Sequence, residues 1–455
     1  MRLAACCVLA GLVAVVACVA SELRPQGGDT VPGRLGAAVL ACRGDFDLRD
    51  VDWLVERQRS GRAPYFVRVT SGGEMVSTYG PAPAAAGSLA MASLKPGGLV
   101  GDRALMRRAR YAAAACVGLA AALLCLALGA VTSPMRALAA SAVAALSFAG
   151  AATLGQALWQ QTVALPAVTG ALATLAWGRH VSALMATPAL LALSGMIRPP
   201  AAGVLIGLGL AWLLALRQVR RRALCVAAAA LTSLVVVAPF AIWNQRHHQT
   251  PLPVGQISQA QENSPRANGQ AFDTTPAHMA EALAGLIVSP GRGLLFFAPV
   301  VLVALVSARR GNALQRSCAL GVLLEIGLIG SWVTWWGGIT FGPRLLAETV
   351  WIGVFALGAA LGRPDAPRWL GHAGGAAAAW TLAVGLLGLA RDPLQWEMRR
   401  NPDVHREALW DLVEGPVAAL VSPAADREPV QDAPAGPFLF CAPRTLMRPE
   451  LPRAP

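Results

Sequence analysis

The chain has 455 residues, 55% of them hydrophobic and 14% charged, with a mean hydropathy of +0.51. Several runs of about 18–22 residues carry no charge, the length of a membrane span, which excludes an ordinary soluble domain. The formal net charge is +13, but the cations flank the apolar runs instead of forming one patch, which argues against nucleic acid as a partner.

The first apolar segment, LAACCVLAGLVAVVACVA (3–20), reads either as a retained span or as a signal peptide, since CVA before Ser21 resembles a cleavage site. Further spans are predicted over 111–131, 137–154, 162–178, 181–197, 200–216, 223–243, 293–307, 317–334, 345–361 and 370–390. The expected fold class is therefore an all-α polytopic membrane protein with about 11 spans. PAPAAAGSLAMASL (81–94) is too short to cross and carries Pro81 and Pro83, so it reads as an interfacial or partly inserted element.

With the N-terminus in the cytoplasm, the cytoplasmic span ends carry Arg2, Arg136, Arg179, Arg217, Arg220, Arg221, Arg222, Arg309, Arg310, Arg316, Arg363 and Arg368, against the single acid Asp365. That asymmetry sets the orientation. RALMRRAR (103–110) is a local violation. Residues 1–390 then form a transmembrane domain with outer loops at 21–110 and 244–290, and 391–455 form an outer tail. The first loop is expected to bear short surface helices. The middle loop reads as polar and irregular, and the tail as one amphipathic stretch (402–420) followed by a Pro-rich end.

GDFDLRDVDW (44–53) concentrates Asp45, Asp47, Asp50 and Asp52 in a chain poor in charge. Asp47 sits where a helix N-cap belongs, with Asp50 three residues on, close to a capping box. Leu48, Val51, Leu54 and Val55 continue at helical spacing, so the helix is expected to lie along the membrane surface. The plain reading is that Asp47 and Asp50 cap this helix. The functional reading is that they converge at the boundary, where one takes a proton from an acceptor hydroxyl or both hold a divalent cation, Mg or Mn. Asp45 and Asp52 are weaker candidates.

Three arginines lie in Gly/Pro-rich sequence at the same boundary: Arg198 in SGMIRPP, Arg292 in SPGRG and Arg344 in FGPRLL. Arginine there suits bidentate contact with phosphate, and snorkelling to lipid headgroups is the competing role. Glu325 is a carboxylate inside a span. The nine cysteines show no metal-ligand spacing. Cys42 and Cys441 fall in polar outer regions, and docking of GPFLFC (436–441) beside the first loop would let them pair.

The order of YFVRVTSGGEMVSTYGPAPA (65–84), QALWQQTVALPA (156–167), SGMIRPP (194–200), APFAIWNQ (238–245), VSPGRGLLFFAP (288–299) and WWGGITFGPRLL (335–346) resembles bacterial polytopic glycosyltransferases of the GT-C superfamily, relatives of the protein mannosyltransferases and the lipid A aminoarabinose transferase. The resemblance runs from residue 1 to about 390. It implies a retained first span and a catalytic carboxylate in the first outer loop, carried here to Asp47 first and then Asp50. It also implies a sugar donor on a polyprenyl phosphate, used at the outer face of the bacterial cytoplasmic (inner) membrane. With the residue reading above, the expected reaction is an inverting transfer in which Arg198, Arg292 and Arg344 hold the lipid phosphate. Tyr79, Trp159, Gln161 and Trp336 are further site candidates from the same motifs. The implied partners are the lipid-linked donor, membrane lipid, and a glycan, lipid or protein acceptor. Two positions depart from the pattern: Gln161 stands where relatives read histidine, and YGPAPA lacks a glycine after its second proline. The alternative function is a transporter or flippase of an anionic lipid-linked substrate. No internal repeat supports it, and the charges gather at one face instead of the midplane.

Overall fold

The structure, a computed structural model, describes residues 2–22, 28–61, 64–94, 99–178, 181–253, 255, 270–391, 394–413, 415–421 and 438–439. The side chain of Asp50 lies outside that description. So does Cys441; Cys42 is disulfide-bonded, and the other described cysteines are free thiols.

The fold is all-helical and polytopic, as the apolar runs require. By length and composition, seven helices among the described residues can cross a membrane: Arg2–Ala20, Asp102–Gly129, Pro199–Leu216, Arg222–His248, Ala313–Gly330, Arg344–Leu361 and Arg368–Ala390. Others predicted as spans are shorter or broken. In chain order the elements are α1 (Arg2–Ala20), α2 (Val31–Arg43), α3 (Asp52–Arg59), β1 (Val67–Val69), β2 (Met75–Ser77), α4 (Ala82–Met91), β3 (Leu99–Val100), α5 (Asp102–Gly129), α6 (Pro134–Leu146), α7 (Gln160–Ala176), α8 (Val181–Ile197), α9 (Ala202–Leu216), α10 (Arg222–His248), α11 (Pro276–Val288), α12 (Leu294–Phe297), α13 (Pro299–Ala308), α14 (Ala313–Gly330), α15 (Ala347–Leu361), α16 (Arg368–Ala390), α17 (Leu394–Arg399), α18 (Pro416–Val421) and β4 (Phe438–Leu439).

The expected span 137–154 ends early. α6 stops at Leu146, Ser147 is extended, and the chain continues as a π-type turn over Phe148–Ala152 and a 3-10 turn over Leu154–Gln156. Broken backbone at depth frees carbonyls that need partners. Buried side chains supply them: Trp351 Nε1 donates to the Ala149 carbonyl at 2.9 Å, Gln156 Nε2 to Ala151 at 2.7 Å, and Thr162 Oγ1 to Leu154 at 2.8 Å. The expected span 293–307 breaks at Ala298, before Pro299, which cannot continue a helix hydrogen-bond ladder.

The membrane helices share one apolar core in which small residues allow close approach. A Cβ at Gly207 of α9 would meet the Gly321 Cα of α14 at 2.5 Å. α1 packs along α5 and α6 with Ala10, Ala14 and Cys18 buried. At the membrane end shared by α9 and α15, Arg198 pairs with Glu348 at 2.5 Å, and both side chains are almost fully buried.

The first loop has its own apolar cluster, built from α2, the 45–55 segment, the β-hairpin and the start of α5. Leu48, Val51 and Leu54 fill it, as their spacing predicts. The predicted single helix from Asp47 is two pieces, a 3-10 turn over Leu48–Asp50 and then α3, because Val51 is extended and fully buried. The 81–94 segment is α4, packed on α2 and α5. β1 and β2 pair antiparallel with Val67 opposite Ser77 and Val69 opposite Met75.

The irregular middle loop and the single amphipathic tail stretch are both corrected. α10 runs through to His248, and α11 occupies 276–288 with Pro276 at its first turn, where proline is tolerated. The tail stretch 402–420 is not one helix: it is a 3-10 turn at Arg406–Trp410 and the short α18. Further on, β4 pairs antiparallel with β3, so the tail returns to the first loop.

Candidate active site

The carboxylate that gathers the loop-face polar groups is Asp29, in the 3-10 turn just before α2. Tyr65 precedes β1 and Tyr79 follows β2, so the hairpin brings both phenols to one place. Each hydroxyl donates to Asp29 Oδ1, Tyr79 at 2.7 Å. Arg344 Nη2 meets Asp29 Oδ2 at 2.6 Å and also donates to the Gly337 carbonyl at 3.0 Å. The guanidinium carbon stands 4.0 Å above the Trp159 ring, a cation–π contact. Gln160 Nε2 donates to the Tyr79 carbonyl at 2.9 Å, fixing the tyrosine to the start of α7.

A quarter of the Asp29 side-chain surface remains open while that of Arg344 is 6% exposed. Burial pushes the Asp29 carboxyl up, but the Arg344 charge and the hydrogen bonds from Tyr65, Tyr79 and Arg344 outweigh it, and the net pKa lies below 3.8. Burial, then the Asp29 charge, raises the Tyr79 hydroxyl well above its ordinary value, so it stays a donor. The result is a fixed anion beside a fixed cation, the anion partly open and the cation buried.

Local backbone explains why Arg344 points there. Gly337 has φ +78°, and a Cβ on it would crowd Leu345 at 3.1 Å. The left-handed turn directs the Gly337 carbonyl at Arg344, and a residue with a side chain resists that conformation. Arg344 Nε is buried without a hydrogen-bond partner among the described residues, and no hydrogen bond there uses Nη1. The guanidinium therefore has donors to spare.

The other predicted site residues go elsewhere. Asp47 is buried and caps the Leu48–Asp50 turn: Oδ1 accepts from the Arg49 and Met75 backbone N–H groups at 3.2 and 3.1 Å, and Oδ2 from Arg49 Nε at 2.6 Å. It braces the loop against the hairpin. Asp45 accepts from the Asp47 N–H and pairs with Arg43. Among the described residues no three His, Cys, Asp or Glu side chains gather as a metal site needs. N–H groups take both Asp47 oxygens, and the side chain of Asp50, its expected co-ligand, lies outside the described residues.

Arg198 is committed to Glu348 and to the Leu345 carbonyl at 2.6 Å. Arg292 uses all five of its N–H donors. Nε reaches the Trp336 carbonyl, Nη1 the Gly291 carbonyl and Glu397, and Nη2 the Gly338 carbonyl and Glu397. Arg292 cannot take a phosphate without breaking an internal bond. Arg198 makes no hydrogen bond through Nη1 among the described residues, but its Nε faces the fully buried Glu348 carboxylate, whereas the carboxylate beside Arg344 is a quarter open. Trp159 lies under Arg344, and Trp336 donates through Nε1 to Asp403 at 3.0 Å. Gln161 is buried in the first turn of α7, and its side chain makes no hydrogen bond among the described residues.

Asp29 is absent from the sequence-based candidates. It follows Gly27-Gly28 as a lone acid, with none of the clustering that draws attention to 44–53. The signal that could have found it is position: it is the first aspartate after the first span.

No family model matches the chain, and no curated protein matches it. Among solved structures, it is similar to the crystal structure of ArnT from Cupriavidus metallidurans bound to undecaprenyl phosphate, with a TM-score of 0.52 at 15% identity, over 90% of this chain and 75% of that one. That likeness shows the fold alone, a polytopic all-helical fold as expected from the motif order.

Proposed function

We propose that the chain is a bacterial inner-membrane glycosyltransferase that moves a sugar from a polyprenyl phosphate to an acceptor hydroxyl on the extracytoplasmic face, where the first loop and the tail lie. The observation that carries this reading is the open Asp29 carboxylate held against Arg344, a guanidinium with unspent donors. The solved structure of similar fold holds undecaprenyl phosphate, which supports a lipid-linked phosphate as the anion that Arg344 meets.

In this mechanism the acceptor oxygen attacks the anomeric carbon and its proton passes to Asp29. The bond to the phosphate oxygen breaks with inversion, and the polyprenyl phosphate leaves with the electron pair. Arg344 faces the charge that grows on the leaving group. Arg344 is also the strongest influence lowering the Asp29 pKa. A donor phosphate that recruits Arg344 therefore makes Asp29 more basic as the proton must move. Tyr65 and Tyr79 keep the carboxylate aimed, and Asp47 supports the hairpin that carries them.

The test uses purified protein in lipid nanodiscs, titrated with undecaprenyl phosphate and then given undecaprenyl-phosphate-linked sugars with envelope extracts as acceptors. Wild type should bind the lipid phosphate and release it from a sugar-linked form, while Arg344→Ala should bind at least about tenfold more weakly. Equal binding by wild type and Arg344→Ala would refute the phosphate reading.

A further inference from the structure

The tail beyond the last span is held to the loop face by buried polar groups that the proposed reaction does not use. Glu397, in α17, is fully buried and grips Arg292 with both oxygens at 2.7 Å. The remaining Arg292 donors all reach main chain. Nε meets the Trp336 carbonyl at 2.8 Å and Nη2 the Gly338 carbonyl at 2.9 Å. One guanidinium thus clamps both neighbours of Gly337, whose carbonyl holds Arg344. A second pair of tail groups secures the same stretch: Asp403 accepts from Trp336 Nε1, and Arg406 lies over the Trp336 ring at 5.0 Å.

Stability alone does not account for this pair. Replacing a buried ion pair with apolar residues of like volume is often neutral or stabilising, because desolvation offsets the attraction. What the pair supplies is direction. Gly337 and Gly338 are both left-handed, at φ +78° and +70°. Two such residues in succession have many competing conformations in isolation, and the clamp selects one.

We propose that Glu397 is a positioning residue: through Arg292 and the Trp336–Gly338 backbone it fixes the Gly337 carbonyl that aims Arg344, and so sets affinity for the anionic lipid phosphate. The proposal rests on the reading of Arg344 as the phosphate-contacting group. It gives the tail a role in the site without contact to substrate.

The experiment compares wild type, Glu397→Gln and Arg292→Lys in nanodiscs, each also in an Arg344→Ala background. Glu397→Gln keeps shape but loses the charge, while Arg292→Lys keeps the charge but cannot reach two carbonyls and a carboxylate together. Hydrogen–deuterium exchange over 335–346 and undecaprenyl phosphate affinity are the readouts. Either substitution should speed exchange over 335–346 and weaken binding by about tenfold. In the Arg344→Ala background the same substitution should change affinity by less than about twofold, because its route is already cut. An equal loss in both backgrounds, or unchanged exchange with unchanged affinity, would overturn the proposal. If Arg344→Ala alone binds like wild type, the phosphate reading fails and takes the affinity claim with it. Exchange over 335–346 in Glu397→Gln then decides the positioning claim, faster exchange supporting it and unchanged exchange refuting it.

Discussion

Asp29→Asn is the substitution that separates a catalytic carboxylate from a structural one. The amide keeps the shape and one acceptor oxygen, so at least one of the tyrosine and Arg344 hydrogen bonds survives. It removes the charge, leaving Arg344 buried without its counter-ion. Neutralising one partner of a buried pair costs about 3–5 kcal/mol. With the Asp29 side chain 25% exposed and one acceptor kept, the expected loss falls to about 2–3 kcal/mol. Thermal unfolding in detergent measures that part. The rate should fall much further than the stability: a positioned general base is worth about 10²–10⁴ in rate. The assay is release of undecaprenyl phosphate from a sugar-linked donor, normalised to folded protein. Asp47→Asn is the control. It loses the Arg49 pairing and part of a cap, about 1 kcal/mol, and should retain most of the rate. An Asp29→Asn protein that turns over like wild type, or an Asp47→Asn protein that is folded but dead, would refute the assignment.

The Asp29 pKa lies below 3.8, so its pairing contributes stability above that pH and loses it as pH falls through the folded value; the unfolding-temperature gap between wild type and Asp29→Asn should be flat above about pH 5 and close below about pH 4. A gap that closes between about pH 5 and 7 would contradict the ion pair. Arg344→Lys keeps the charge but loses the planar fork and the stacking on Trp159, and should weaken undecaprenyl phosphate binding by about tenfold in the same titration. Gly337→Ala forces a side chain into a left-handed turn against Leu345 and should cost about 1–2 kcal/mol in thermal unfolding, with donor affinity falling alongside. Cys42 is disulfide-bonded, so maleimide should label it in denatured protein only after reduction, and labelling without reductant would contradict the bond.

The membrane helices were legible because charge-free length is a local property, read from one stretch at a time. The breaks at Ser147 and Ala298 were not, since Trp351, Gln156 and Thr162 stabilise the first from other segments. The stripe Leu48, Val51, Leu54 was legible by spacing, and so was capping at Asp47. The site was only half legible. Arg344 stood out through its Gly/Pro-rich surroundings, and Trp159 and Tyr79 through the motifs that carry the family resemblance. Asp29 did not, because its partners Tyr65, Tyr79 and Arg344 lie 36, 50 and 315 residues away. Four clustered aspartates outweigh one lone acid in any local reading. Arg292 and Arg198 looked identical to Arg344 for the same reason: Glu397 and Glu348, the carboxylates they pair with, sit far along the chain.

The Arg198–Glu348 pair bears on how the protein is made. Each group is a penalty to any helix that enters lipid alone, at about 2.5–3.5 kcal/mol near mid-bilayer and less toward the ends. The partners are 150 positions apart (348 − 198), which at about 5–20 residues per second separates their synthesis by roughly 8–30 s. During that interval Arg198 must stay at the headgroups or inside the insertion machinery. α8 and α9 therefore settle to final depth only when α15 arrives, and a chain truncated before residue 348 should leave this helix pair shallow and open to quality-control proteolysis.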